Sequence, residues 1–269
     1  MTGFTYGQAD DAVEGIVWTE CVLGRGYDLL RLADERRRQG GWPMHALEVG
    51  PNAATIRLPC LPAYSFGARL ADLAIELALG SSAEQISGIR AYGAFGGWIA
   101  PYIAWRIARA GQHAAVLWRP AIPILGMEAP AMLVLADPAA KDSEMPPFTI
   151  VSAGQVDGAG SQPPRQNATS LSLLEAIRKA AGPASQESLF AIASTSAAPS
   201  GEDVDASACS AILTDLGLLG IPMSLDTSER MKSAVRFGMD VPSEKHAFLN
   251  TLSQRIRMPN TERSKSQAG

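Results

Sequence analysis

Histidine is scarce in this chain, with three among 269 residues at positions 45, 113 and 246. None has a His, Cys or carboxylate neighbour at the spacing of a metal site, so no resident metal is expected and few groups are left for general-base chemistry. Cysteine is equally sparse. Cys21, Cys60 and Cys209 are far apart and form no CxxC pair, which excludes a disulfide framework and points to a reducing, cytoplasmic setting. An excess of basic charge is missing as well: 23 Lys and Arg stand against 27 Asp and Glu, a net charge of −4. That balance excludes a protein whose main task is to neutralise nucleic-acid phosphates. There is no uninterrupted apolar run of about 18 residues, and MTGFTYGQADD lacks the basic-then-apolar order of an export signal. No membrane partner is expected. GxSxG, GxGxxG and Walker signatures are absent too, so no complete catalytic motif announces a reaction.

What remains is the composition of a folded domain, 46% hydrophobic and 19% charged, with 25 glycines and 18 prolines marking frequent turns. The length suits one large or two small domains. Apolar residues recur at helical spacing from Ala9 to Gln39 (Val13, Ile16, Val17, Cys21, Val22, Leu29, Leu30, Leu32), and Gly24-Arg25-Gly26 interrupts them. This predicts a helical hairpin or kinked helix. Segments 44–49 and 53–58 around Gly50-Pro51-Asn52 predict a β-hairpin. Ser65 is a candidate N-cap for a helix closed by Gly80, whose apolar residues from Leu70 to Leu79 offer a face to another chain in a homo- or hetero-oligomer.

Further strands are expected at 86–95, 113–118, 132–136, 148–153 and 188–193. Further helices are expected at 98–110, 170–181, 208–216 and 243–257. The turn-rich stretch GQVDGAGSQPPRQN divides an α/β region with its helical hairpin, 1–153, from a second α/β region, 168–258. A polar tail, 259–269, follows. The class is α/β: helices packed on a mixed sheet, with a helical hairpin that spoils a standard Rossmann pattern.

The densest chemistry lies in ISGIRAYGAFGGWIAPYIAWRIARAGQHAAVLW, Ile86 to Trp118, which reads as strand, glycine turn, helix, strand. Such a turn can aim backbone N–H groups at an anion, or it can serve close packing of helix on strand. Arg90 and Tyr92, one pleat apart, project to one face beside Gly96 and Gly97, and a guanidinium there can hold a small carboxylate bidentately. A second cluster, Glu20, Arg25, Tyr27 and Asp28, sits at the helical break, where the flanking glycines allow unusual backbone angles. The three-arginine run 36–38 reads as cations at a helix C-terminus.

VWTECVLGRGYDLLRL, LPCLPAYSFGARLADLAIELA and the tail MPNTERSKSQAG resemble an uncharacterised proteobacterial family, a domain of unknown function whose members end in Pro-x-Thr-Glu-x-Ser-Arg; Lys265 stands at the arginine position here. More faintly, Arg25 to Arg31 resembles the Arg-Gly-His-Asp-Ser-His-Gly motif of the malate/L-lactate/ureidoglycolate dehydrogenase family. Ala91 to Gly96 resembles that family's Asn-Ser-x-His-Phe-Gly. The family reduces small 2-keto acids or cyclic imines with NADH or NADPH on a fold that is not Rossmann. Tyr27, Leu30 and Ala94 occupy its histidine positions. The resemblance therefore implies a degenerate homologue or accessory subunit, or alternatively a reductase whose proton donor is Tyr27 or Tyr92, with Arg25, Arg90, Gly96 and Gly97 binding substrate.

Overall fold

Chain direction reverses at Gly24 (φ +68°), the left-handed angle that ends helix α1 (Tyr6–Leu23) and lets α2 (Gly26–Gly40) fold back along it. Gly26 makes the return possible, because a Cβ there would collide with the carbonyl oxygen of Ile16 and the backbone of Glu20. The computed structural model describes residues 6–40, 48–49, 55–57, 61–80, 86–121, 129–138, 148–152, 171–182, 188–195, 206–218, 223–225, 227–238 and 241–256. The connector at 154–167, Cys60, His45 and the tail 259–269 lie outside them.

Among the described residues eight strands form one open sheet: β1 (Glu48–Val49), β2 (Thr55–Arg57), β3 (Ser87–Tyr92), β4 (His113–Arg119), β5 (Met132–Ala136), β6 (Phe148–Ser152), β7 (Leu189–Thr195) and β8 (Met223–Leu225). Their spatial order is β1-β2-β3-β7-β4-β5-β6-β8. Only β2 and β3 run parallel; every other neighbour pair is antiparallel, so the sheet is mixed. Strands β3 and β4 run the same way and are joined through α4 (Ala100–Arg109), yet β7 separates them, pairing Ile192 with Ile89 on one side and Val116 on the other. That inserted antiparallel strand is what departs from a Rossmann unit. It also carries residues 189–195 into the middle of the sheet begun by residues before 153.

The remaining helices are α3 (Gly67–Gly80), α5 (Leu171–Ala181), α6 (Ala206–Asp215), α7 (Thr227–Phe237) and α8 (Ser243–Ile256). The pleat sorts the core into two layers. One face carries the register row Ile89, Ile192, Val116, Val134 and Ile150, beside Phe190 and Trp118, against α1 to α4. The other carries Ala115, Leu117, Leu133, Leu189 and Ala191 against α5 and α6. Burying each large aliphatic side chain stabilises by about 1.5–3 kcal/mol.

Helix α3 differs from the sequence expectation in two ways. Ser65 lies in a 3-10 turn over Ala63–Ser65 and donates its hydroxyl to Pro62 O at 2.6 Å, so it closes that turn instead of capping the helix. The apolar face of α3 is also spent inside the fold, with Leu70, Ala71, Ala74 and Ala78 buried and Leu79 alone 68% exposed. Among the described residues no helix is long and apolar enough to cross a membrane.

Candidate functional site

At the α1–α2 break, Glu20 carries the local organisation. Its Oε2 accepts the Tyr27 N–H at 2.9 Å, satisfying a donor of the first turn of α2 and placing negative charge at that helix's positive end. Its Oε1 pairs with Lys245 Nζ at 3.0 Å, and the same ammonium donates to Gly24 O at 3.3 Å and lies 5.3 Å from the centre of the Tyr27 ring. Phe248, one turn further along α8, meets Tyr27 edge-on at 5.2 Å. Arg25 donates to Asp28 Oδ2 at 2.9 Å and lies over Trp98 at 4.8 Å. Burial first, then the Glu20 carboxylate, pushes the Cys21 thiol up, which keeps it protonated and disfavours nucleophilic use.

Trp98 brings the glycine turn to this junction. Gly93 and Gly96 have φ of +82° and +90°, and Gly97 packs flat on the Trp118 indole, where a Cβ would fall inside 3.0 Å of three ring atoms. A Cβ on Gly96 would stand 3.1 Å from Leu29 Cδ2, and Arg36 lies over Phe95 at 6.0 Å. The Gly93 N–H donates to Ser188 O, Phe95 N–H to Leu61 O and Ile99 N–H to Gly96 O. Those donors are used by the protein's own carbonyls, and the turn seats the 97–109 segment on β4.

Arg90 and Tyr92 lie on the opposite face. Arg90 Nη2 donates to Lys179 O at 2.8 Å, satisfying a carbonyl in the last turn of α5, and Tyr92 packs against the layer of α5 and α6. Register places Tyr92 and Arg119 on either side of Leu189, facing the same way. The structure thus brings Arg25 to the glycine turn through Trp98, turns Tyr27 toward Lys245 and Phe248, and sets Arg90 and Tyr92 across the sheet from them.

Other polar groups are internally matched. Arg106 Nε and Nη2 grip Asp72 at 2.9 and 3.2 Å, and its Nη1 reaches Tyr102 Oη at 3.4 Å and Glu14 at 3.5 Å. Burial works against the guanidinium charge, but the bonds to Asp72 and Tyr102 outweigh it and push the Arg106 pKa up. Burial pushes the Tyr102 phenol up to about 12. His113 Nδ1 stands 3.0 Å from Asp137 Oδ1 at the far end of β4 from Arg119, and His246 faces Asn250 on an exposed part of α8. Arg37 and Arg38 both pair with the buried Asp34, giving the basic run a partner one turn back. Among the described residues no three of His, Cys, Asp and Glu gather at metal-binding distance.

Sequence reasoning missed Lys245, which reaches Glu20 from 225 residues away, and Phe248 beside it; Lys-x-x-Phe on one helical face was the available signal. It also missed Arg119, whose Nη1 is buried with no hydrogen-bond partner among the described residues.

No family model matches this chain, and no curated protein matches it. Among solved structures, a malate dehydrogenase from Entamoeba histolytica is similar over 90% of this chain and 94% of that one, at 11% identity and a TM-score of 0.40.

Proposed function

We propose that this chain is a non-catalytic or accessory subunit on a malate/L-lactate-dehydrogenase-like scaffold, retaining a site for a small carboxylate. The observation that carries the reading is the junction of the two dehydrogenase-like segments, 25–31 and 91–96. They meet where Leu29 lies beneath Gly96, with Arg25 over Trp98 just beyond the second segment, but the ionised groups gathered there are already matched, Arg25 to Asp28 and Glu20 to Lys245. Tyr27, Leu30 and Ala94 stand where the resembled family has histidines. His113 lies six residues along β4 from Arg119, about 20 Å at strand spacing, so it does not substitute for them near the sheet's other end.

The carboxylate site belongs to the α5 face. Arg119 Nη1 is a buried donor with no acceptor among the described residues, and Tyr92 and Arg90 share its face and its end of the sheet. An incoming carboxylate supplies the missing acceptor, in a setting where an unmet charged donor costs more than about 1–3 kcal/mol. On the other layer, Val13 and Val17, one turn apart on α1 and 58% and 47% exposed, support a subunit that meets another chain.

Thermal denaturation with pyruvate, L-lactate or L-malate, with and without NADH or NADPH, tests this reading. A carboxylate should raise the melting temperature of the unaltered chain but not of Arg90→Ala or Arg119→Lys, and native mass should exceed one chain. Reduced nucleotide consumed by a lone monomer, with the rate lost in Tyr27→Phe or Tyr92→Phe, would replace the accessory reading with a reductase. An unchanged shift in Arg90→Ala would remove the carboxylate site.

A further inference from the structure

We propose that the α1–α2 break is a receptor for a primary alkylammonium group, held shut in cis by Lys245. This is a different site and a different ligand from the carboxylate reading. Among the described residues, the groups that meet the Lys245 ammonium lie within residues 20–27: a carboxylate oxygen at 3.0 Å, a carbonyl at 3.3 Å and a tyrosine ring face at 5.3 Å. A primary ammonium has three N–H donors and a full charge, which this set of two oxygens and a π-face matches. Gly24 O also belongs to the C-terminal end of α1, where the helix dipole favours a cation, as the 2.8 Å bond from Arg230 Nη1 to Val22 O shows.

The receptor is built without α8. Glu20 is oriented by the Tyr27 N–H, and the backbone that sets Tyr27 and Gly24 is fixed by the positive φ of Gly24 and the tight seat of Gly26. The occupant, by contrast, arrives on a lightly attached helix. Over residues 243–252 only Lys245, Phe248 and Leu252 are partly covered, at a spacing of three and four, and the rest are exposed. A second ammonium that displaces Lys245 therefore lifts a narrow stripe of contacts and leaves the receptor intact. Primary amines are preferred over quaternary ones, since methyl groups on nitrogen keep it from approaching oxygens at hydrogen-bond distance.

The experiment uses the full chain, with the Tyr27 amide resonance as reporter and n-butylammonium chloride as probe. In the unaltered protein a tethered Lys245 competes at an effective concentration on the order of millimolar. Lys245→Met should therefore bind the probe at least about tenfold more tightly, by removal of that competitor. Adding Glu20→Gln, which still accepts the Tyr27 N–H, should abolish binding, and n-butyltrimethylammonium should fail in every variant. A peptide SEKHAFLN binding more tightly than n-butylammonium would identify a helix-borne lysine as the ligand source; the reverse order would identify a free amine. Equal affinity in unaltered and Lys245→Met protein, no response in either, or binding that survives Glu20→Gln would overturn the proposal. A second measurement needs no substitution: n-butylammonium well above the millimolar range should speed amide exchange across 243–252 while α1 stays protected. Unchanged exchange there would overturn it as well.

Discussion

Replacing Gly97 by alanine tests the packing of the 97–109 segment on the sheet, because one added methyl group meets a ring that cannot yield without loss. The Cβ would lie inside 3.0 Å of Trp118 Nε1, Cε2 and Cδ1. Trp118 is fully buried, donates Nε1–H to Ala129 O at 3.1 Å and packs on Phe190 with ring centres 4.4 Å apart. Moving the indole gives up that hydrogen bond, about 1–3 kcal/mol for the stranded groups. Overpacking adds about 1–3 kcal/mol. The expected cost is then about 4 kcal/mol, a large part of the roughly 5–15 kcal/mol that holds a domain folded. It corresponds to a fall of about 8–16 °C in melting temperature. Gly111→Ala is the control: its φ is +86° but nothing lies within 4 Å of the new Cβ, so only the left-handed backbone cost of about 1–2 kcal/mol applies. Urea unfolding followed by circular dichroism should separate the two variants. Trp118→Phe should rescue part of the Gly97→Ala loss, with at least about 1 kcal/mol of coupling in a double-mutant cycle. Equal costs for Gly97→Ala and Gly111→Ala, or strict additivity with Trp118→Phe, would refute the packing argument.

Two buried phenols make the fold sensitive to alkali. Burial raises both Tyr64 and Tyr102, the latter to about 12, so the folded chain keeps protons that the unfolded chain releases near pH 10; stability is full below pH 10 and falls as pH rises through about 12. Tyrosinate absorbance should therefore develop together with loss of ellipticity, and all five tyrosines ionising near pH 10 with the fold intact would contradict this. The division of the candidate residues between two faces gives a second test: the stability effects of Arg25→Ala and Arg90→Ala should add to within about 0.5 kcal/mol. Coupling above about 1 kcal/mol would mean the two guanidiniums share a site after all.

Local signals in the sequence located most elements within a few residues, for identifiable reasons. The Gly24–Gly26 break was legible because two glycines in three positions end a helix whatever surrounds them. The strand at 189–195 was legible as a strand but not as the centre of the sheet, since its buried run says nothing about which neighbours it separates. Helix α7 and strand β8 escaped notice: TSERMKSAVRF lacks a continuous apolar stripe and leaves Val235 and Phe237 80% and 76% exposed, so its pattern does not mark a buried face. Pleat parity correctly puts Arg90 and Tyr92 on one face, yet parity cannot say which helices cover it. The Glu20–Tyr27 contact is local and its residues stood out; Lys245 joins them only through the tertiary path of the chain.

The segment from Arg90 to Trp98 shows why one sequence motif became two structural places. Ala91 is fully buried beside Phe190 in the layer of α1 to α4, so its neighbours in the strand, Arg90 and Tyr92, must face α5. Beyond Tyr92 the strand ends, and two glycines with positive φ carry the backbone from the sheet into the layer of α1 to α4. There Gly97 meets Trp118 and Trp98 meets Arg25. A turn that joins a sheet to the helix packed on one of its faces delivers the strand's odd and even residues, and the residues after the turn, to different surroundings. Chemistry read from such a motif as a single constellation therefore divides: the part before the turn belongs with Arg119 and α5, the part after it with the α1–α2 break and Lys245.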